Sequence, residues 1–330
     1  MRKAADRNIP VSAHLELTHT CNLRCVHCYV TQQKKKKELT GVAFRRILHQ
    51  LAEEGTLYLG MTGGEILGRK DFFELATYAR KKGFALRLFT NATLIDREVA
   101  GRIADLNPLT VEVSLYGVTP EVHESVTRVP GSYARTLWGI RCMAALGRNL
   151  VIKSCIMSQN VSEIRQLKNF AAELGVGFRS NPMLSPGSEG SKAPLQFRIT
   201  DRELTEYFQE YDREWASKVP AQNEPVCNAA RGVVAINPHG EVFPCVQIPV
   251  KSGDLRQQSF HEIWHNSPEL RRFRSLTLSK LTDCSTCKDI SYCNPCPGLA
   301  LVEEGDVLRS ASESCRQARV RKSVLTRSIG

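Results

Sequence analysis

The chain has 330 residues, 42% of them hydrophobic, enough to bury one large core or a domain with a smaller module. No apolar run approaches the length of a membrane-spanning helix, and Met1-Arg-Lys-Ala-Ala-Asp6 leads into no signal-peptide core. The sequence therefore reads as cytoplasmic, where a set of twelve cysteines points to metal ligation rather than to six disulfides. The net charge of +11 would steer an acidic partner towards the surface. The basic residues are scattered, however, and the one dense run, Lys34 to Lys37, reads as a solvated loop or a docking point. Neither a nucleic-acid motif nor recurring aromatic-basic pairs are present, so nucleic acid is an unfavoured partner.

Residues 14–18 are the first expected strand, and it runs into Thr20-Cys-Asn-Leu-Arg-Cys-Val-His-Cys-Tyr29. Cys21, Cys25 and Cys28 on one short loop can hold three irons of a 4Fe-4S cube and leave the fourth iron open to another ligand. A zinc knuckle is the alternative, but zinc favours paired CxxC. A helix is expected over 40–54, with Thr40 as N-cap, and a strand over 57–61 that ends in Thr62-Gly63-Gly64-Glu65. The two glycines permit close backbone approach to a ligand, and the carboxylate can accept from an amino group. Helices over 71–82, 96–105, 133–146 and 161–174 then alternate with strands over 84–89, 109–115, 150–157 and 176–179. Six such units imply a parallel α/β fold.

Past residue 180 the alternation stops. Residues 181–190 are rich in turn formers, and Thr200-Asp-Arg-Glu203 is a capping box opening a helix with Leu204, Phe208, Tyr211 and Trp215 on one face. That aromatic stripe reads as core packing that bridges the α/β part to the carboxy-terminal region. Then come Cys227, Gly240, Cys245, Cys284, Cys287, Cys293, Cys296 and Cys315. Written as two CxxC pairs, the middle four could be a zinc module, although zinc ribbons separate their pairs by about fifteen to twenty residues and here the gap is five. Cys142 and Cys155 fall on an expected helix and strand and read as core filler, with Cys155 kept as a candidate for a missing cluster ligand.

The CxxxCxxC loop followed by the Gly-Gly-Glu strand end resembles the radical S-adenosylmethionine (SAM) superfamily. The later cysteines resemble its SPASM extension, so the resemblance covers nearly the whole chain. It implies a partial (β/α)6 barrel over 1–180, a linker and bridging helix over 181–226, and a smaller cysteine-rich SPASM domain over 227–330. It implies that Gly63, Gly64 and Glu65 meet the methionyl end of SAM. Asn91, Ser114 and Arg128 are the further contacts it suggests, Ser114 to the ribose and Arg128 to the carboxylate. It also implies three 4Fe-4S clusters: one on Cys21, Cys25 and Cys28, a distal auxiliary one on Cys284, Cys287, Cys293 and Cys315, and a proximal one on Cys227, Cys245 and Cys296. The proximal set lacks a named fourth ligand, which leaves an open iron or a ligand of another type. The chain departs from the pattern at Ile66 for proline, Ala92 for glycine, Tyr116 for aspartate, and two residues instead of three between Cys293 and Cys296.

The resemblance implies an enzyme that forms a 5'-deoxyadenosyl radical and takes hydrogen from a peptide, maturing a ribosomally made precursor. Val246 after Cys245, where sulfatase-maturing relatives have aspartate, counts against that activity. With about thirteen residues before the first strand, leader recognition is expected from a separate small protein. The electron donor is expected to be of flavodoxin or ferredoxin type. Tetrapyrrole side-chain chemistry is the alternative, and an iron-sulfur scaffold or nucleic-acid module the non-enzymatic one.

Overall fold

Period-two burial in the first strand sets the inside and outside of the fold. In β1 (Ser12–Thr18), Ala13, Leu15 and Leu17 are fully buried, while His14 and Glu16 point to the other face of the sheet. The buried set packs against Phe44, Ile47, Leu48 and Leu51 of α1 (Gly41–Glu53), whose N-cap Thr40 accepts from the Ala43 amide at 3.3 Å. The structure, a computed structural model, describes residues 6–30, 36–147, 149–187, 189–211, 215 and 221–327. Residues 1–5 of the amino terminus and Lys34 and Lys35 of the basic run therefore lie outside the described residues. Lys36 is paired with Glu241 at 2.5 Å.

The chain continues through β2 (Tyr58–Gly63), α2 (Phe72–Lys81), β3 (Ala85–Thr90), α3 (Arg97–Asp105), β4 (Thr110–Ser114), α4 (Pro120–Thr127), α5 (Ser132–Ala144), β5 (Leu150–Cys155), α6 (Ile164–Glu173) and β6 (Gly177–Asn181). Strands β1 to β6 are parallel and adjacent in sequence order. Each crossover thus advances one strand in one direction, which curls the sheet into the expected partial barrel with helices outside. Expected and observed elements agree to within a few residues, except for α4, an extra helix that the strand-helix alternation does not predict.

Beyond β6, α7 (Asp201–Tyr211) opens with the expected capping box: the Thr200 amide donates to Glu203 at 2.7 Å, and the Glu203 amide to Thr200 Oγ1 at 3.3 Å. Strands β7 (Val233–Ile236), β8 (Glu241–Phe243) and β9 (Gly253–Asp254) then extend the sheet on the open side of β1, making nine strands. β7 pairs parallel with β1 and antiparallel with β8, so the first part of the cysteine-rich region is hydrogen-bonded to the barrel. Helices α8 (Phe260–Asn266), α9 (Pro268–Arg274), α10 (Pro297–Glu304) and α11 (Ser312–Arg327) complete the chain. The apolar face of α7 closes on α11, where Leu204 and Phe208 cluster with Val320 and Val324; Trp215, expected on the same helix face, lies beyond the helix end at Tyr211, with the Arg321 guanidinium 3.7 Å from its ring. No described helix is long and apolar enough to cross a membrane.

Candidate cofactor and cluster sites

The carboxyl ends of barrel strands converge on one mouth, and the cysteine loop leaves β1 there. Two backbone bonds hang the loop on the end of α4, from Arg24 to the Thr127 carbonyl at 2.9 Å and from Val26 to the Val126 carbonyl at 3.0 Å. The Gly-Gly-Glu turn holds its other side. The Gly64 amide donates to Thr18 at 2.6 Å, and the Glu65 amide to Thr20 at 2.9 Å. Gly63 has φ +124°, and a Cβ on it would lie 2.2 Å from the Thr18 carbonyl oxygen. What the glycines approach closely is thus the cysteine loop of the chain itself.

Glu65 is 1% exposed, and burial pushes its carboxyl pKa up against the bonds it receives. Its Oε1 accepts from Thr90 Oγ1 at 2.7 Å and the Leu67 amide at 3.1 Å, its Oε2 from the Asn91 amide at 2.7 Å. The carboxylate therefore ties the end of β2 to the end of β3. Asn91 in turn donates to Asn22 Oδ1 at 2.9 Å and reaches Cys21 Sγ at 3.8 Å, so the cysteine loop, Glu65 and Asn91 form one hydrogen-bonded unit. Ala92 adopts φ +59°, the left-handed backbone that the family's glycine would take without strain.

Ser114 ends β4 and lies beside Tyr116, whose ring packs with Cys25 and Cys155. Burial and the neighbouring thiols push the Tyr116 pKa well up. His27 meets the Tyr116 ring edge-on at 4.9 Å, and burial drives its pKa down to about 4, leaving it neutral. Tyr116, at the position where the family pattern has aspartate, packs against the cysteine loop through Cys25, Val26 and His27. Arg128 is exposed at φ +58° and C-caps α4 one residue past Thr127, its backbone amide donating to the Glu124 carbonyl at 2.9 Å. Cys155 packs with Tyr116 and Cys25, so its place is in the barrel rather than beside Cys227, Cys245 and Cys296.

The ten motif cysteines separate into three groups by mutual electrostatic influence. Cys25 feels Cys28 and Cys21; Cys245 feels Cys296 and Cys227; Cys293 feels Cys315, Cys284 and Cys287. Burial first, and these neighbours second, push Cys25, Cys245 and Cys293 up to about 12 and Cys284 to about 11. Thiols so placed cannot ionise together unless positive charge sits among them, as a metal cluster supplies. Among the described residues, no three of these sulfurs lie mutually within 4.8 Å.

The two-residue spacing between Cys293 and Cys296 still sends them to different groups. Cys293 closes a short 3-10 turn, while Cys296 is the N-cap of α10 and accepts from the Leu299 amide at 3.4 Å. A Cβ on Gly298 would stand 2.6 Å from the Gln247 carbonyl oxygen, so this glycine lets α10 dock against the loop after Cys245.

Inside the barrel, Glu112 is buried among three cations. Arg87 bonds to it, Lys153 Nζ lies at 3.3 Å and Arg179 at 3.7 Å. Burial alone would raise the Glu112 pKa, but Arg87 and Lys153 hold it below the usual carboxylate value. Around Glu112 itself, the cations outnumber the carboxylate three to one. A separate cleft of about 410 Å³ runs from β6 to Cys296 and is lined by Asn181, Gln247, Asn294, Gln317 and Trp215.

Comparison with known proteins matches residues 15–171 to the Radical SAM superfamily and residues 227–297 to the SPASM iron-sulfur cluster-binding domain. An AdoMet-dependent heme synthase of Methanosarcina barkeri (strain Fusaro / DSM 804) is 28% identical, over 91% of this chain and 95% of its own length. The antilisterial bacteriocin subtilosin biosynthesis protein AlbA of Bacillus subtilis (strain 168) is 26% identical, over 87% of this chain and 67% of its own. The crystal structure of Streptococcus suis SuiB bound to precursor peptide SuiA superposes with a TM-score of 0.74 at 19% identity, over 95% of this chain and 78% of that one, a likeness of fold.

Proposed function

We propose, from the premise that the chain is a radical SAM enzyme carrying a SPASM domain, that it matures a ribosomally made peptide by oxidising one of its residues. The observation that carries this reading is the cleft between β6 and Cys296. Asn181, Gln247, Asn294 and Gln317 line it with carboxamides, which offer donors and acceptors in the same mix as a peptide backbone, and Trp215 adds an apolar wall. Its volume of about 410 Å³ suits a few residues of chain rather than a macrocycle.

In this reading the barrel occupies 1–180, a connecting segment 181–226 and the SPASM domain 227–330. Cys21, Cys25 and Cys28 hold the barrel cluster, and Gly63, Gly64, Glu65, Asn91, Ser114 and Arg128 frame the SAM site. Cys284, Cys287, Cys293 and Cys315 hold one auxiliary cluster, and Cys227, Cys245 and Cys296 another with an open iron. When bound and reduced by one electron, cluster and SAM supply a 5'-deoxyadenosyl radical able to take hydrogen from an unactivated carbon. The chain's part is placement. Glu65 and Asn91 fix the loop at the mouth, Tyr116 covers Cys25 from the barrel side, and the carboxamide cleft orients the substrate. A separate leader-binding protein and a flavodoxin- or ferredoxin-type donor complete the system, in the cytoplasm.

Tetrapyrrole side-chain chemistry is the second reading. The excess of cations at Arg87, Lys153 and Arg179 suits propionate carboxylates, and the Methanosarcina relative matches almost end to end. One experiment separates the two. Reduced, reconstituted enzyme with SAM is given, in parallel, the short peptides encoded beside its gene and an iron porphyrin bearing propionates. A peptide product lighter by two hydrogens supports the first reading, and porphyrin decarboxylation with unchanged peptides overturns it.

A further inference from the structure

Far from the barrel mouth, α1 and α8 meet on the outer surface through three side chains that none of the three cysteine groups uses. Glu54, which caps the carboxyl end of α1, faces His261 and His265, one turn apart on α8. His261 Nδ1 lies 2.5 Å from Glu54 Oε1, and His265 Nε2 lies 3.0 Å from Glu54 Oε2. One donor atom from each of the three residues falls within 4.8 Å of the others. Among the described residues, this is the group of imidazole, thiol and carboxylate donors drawn so closely together.

The support beneath it is rigid. The opposite face of α8 buries Phe260, Ile263 and Trp264, Trp264 Nε1 donates to the Asn8 carbonyl at 2.6 Å, and the Phe260 amide donates to Gln50 Oε1 on α1 at 2.5 Å. The two helices are therefore locked together before any ligand arrives, and the histidines are held on the solvent side, 69% and 44% exposed. Burial works against the Glu54 carboxylate, but the two imidazoles hold its pKa below the ordinary value, so it is charged at neutral pH.

We infer that Glu54, His261 and His265 form a binding site for a borderline divalent cation such as Zn²⁺ or Ni²⁺, which joins the first barrel helix to the carboxy-terminal region. Two neutral imidazoles and one carboxylate are the donor set such ions take at about 2.0 to 2.2 Å, leaving a coordination position for water. Hard, oxygen-seeking Mg²⁺ and Ca²⁺ are disfavoured by the two nitrogens. Because the ligands come from residues more than two hundred positions apart, an ion bound here crosslinks the folded chain and stabilises it by mass action.

The test uses holoprotein with its iron-sulfur clusters in place, titrated with Zn²⁺ alone under anaerobic conditions. Wild type is expected to bind one Zn²⁺ beyond any held by its remaining thiols, with a Tm rise of a few degrees. The His261→Ala/His265→Ala double variant, and independently Glu54→Gln, should weaken that binding at least tenfold while iron content stays at the wild-type level. Equal Zn²⁺ binding by wild type and double variant would overturn the inference. So would a double variant that melts lower than wild type while neither protein responds to Zn²⁺, since the three residues would then be a metal-free clamp.

Discussion

The Cα of Gly64 faces the Thr20 carbonyl so closely that a methyl placed on it would stand 2.1 Å from the oxygen. The next amide, that of Glu65, donates to the same carbonyl at 2.9 Å. The Gly-Gly-Glu turn thus sets the height of the cysteine loop.

Gly64→Ala should leave the folded barrel in place but push the loop outwards. A displacement near 1 Å at a reacting centre can cost about 100-fold in rate. We expect SAM cleavage, read as 5'-deoxyadenosine formed per minute, to fall by that order while the auxiliary iron is retained. An unchanged rate would separate the turn from the site.

Glu65→Gln keeps shape but removes charge from the acceptor shared by Thr90, Leu67 and Asn91. One partner must lose its bond, at about 1–3 kcal/mol for a buried group. A lowered Tm together with a raised KM for SAM is expected. A Tm loss with unaltered KM would make Glu65 a strut alone.

Arg128→Gly distinguishes a contact from a cap. Relief of the φ +58° backbone should leave stability unchanged or raise it by up to about 1 kcal/mol. If the guanidinium meets the SAM carboxylate, the KM for SAM rises roughly tenfold in the same variant. A more stable protein with wild-type KM removes Arg128 from the site.

Cys293 and Cys296 are three positions apart yet belong to different groups, so Cys296→Ala should abolish the proximal cluster signal in electron paramagnetic resonance and spare the distal one. Cys293→Ala should perturb only the distal signal. Loss of the same signal in both variants would place the two cysteines in one site.

The cysteine loop, the Gly-Gly-Glu turn and the six β/α units are legible in the sequence because each is a local pattern of spacing, burial and capping. Helix α4 carries a local signal too, the N-cap Thr119 followed by Pro120, but the glycine at 117 and the tyrosine in place of aspartate draw that stretch towards a loop reading. The pairing of β7 with β1 cannot be read, because parallel pairing across more than two hundred residues leaves no local trace. The same holds for Glu112 with its three cations, and for Glu54 with His261 and His265. The role of Tyr116 is hidden because a substitution away from a family pattern says what is lost, not what the new ring meets.

The measurement that bears most directly on the account is iron, sulfide and zinc per chain after anaerobic reconstitution. Three cubane clusters predict about twelve irons with matching sulfide and no stoichiometric zinc in the cysteine groups. About four irons with one or two zincs would contradict it, since the carboxy-terminal thiols would then be structural zinc ligands.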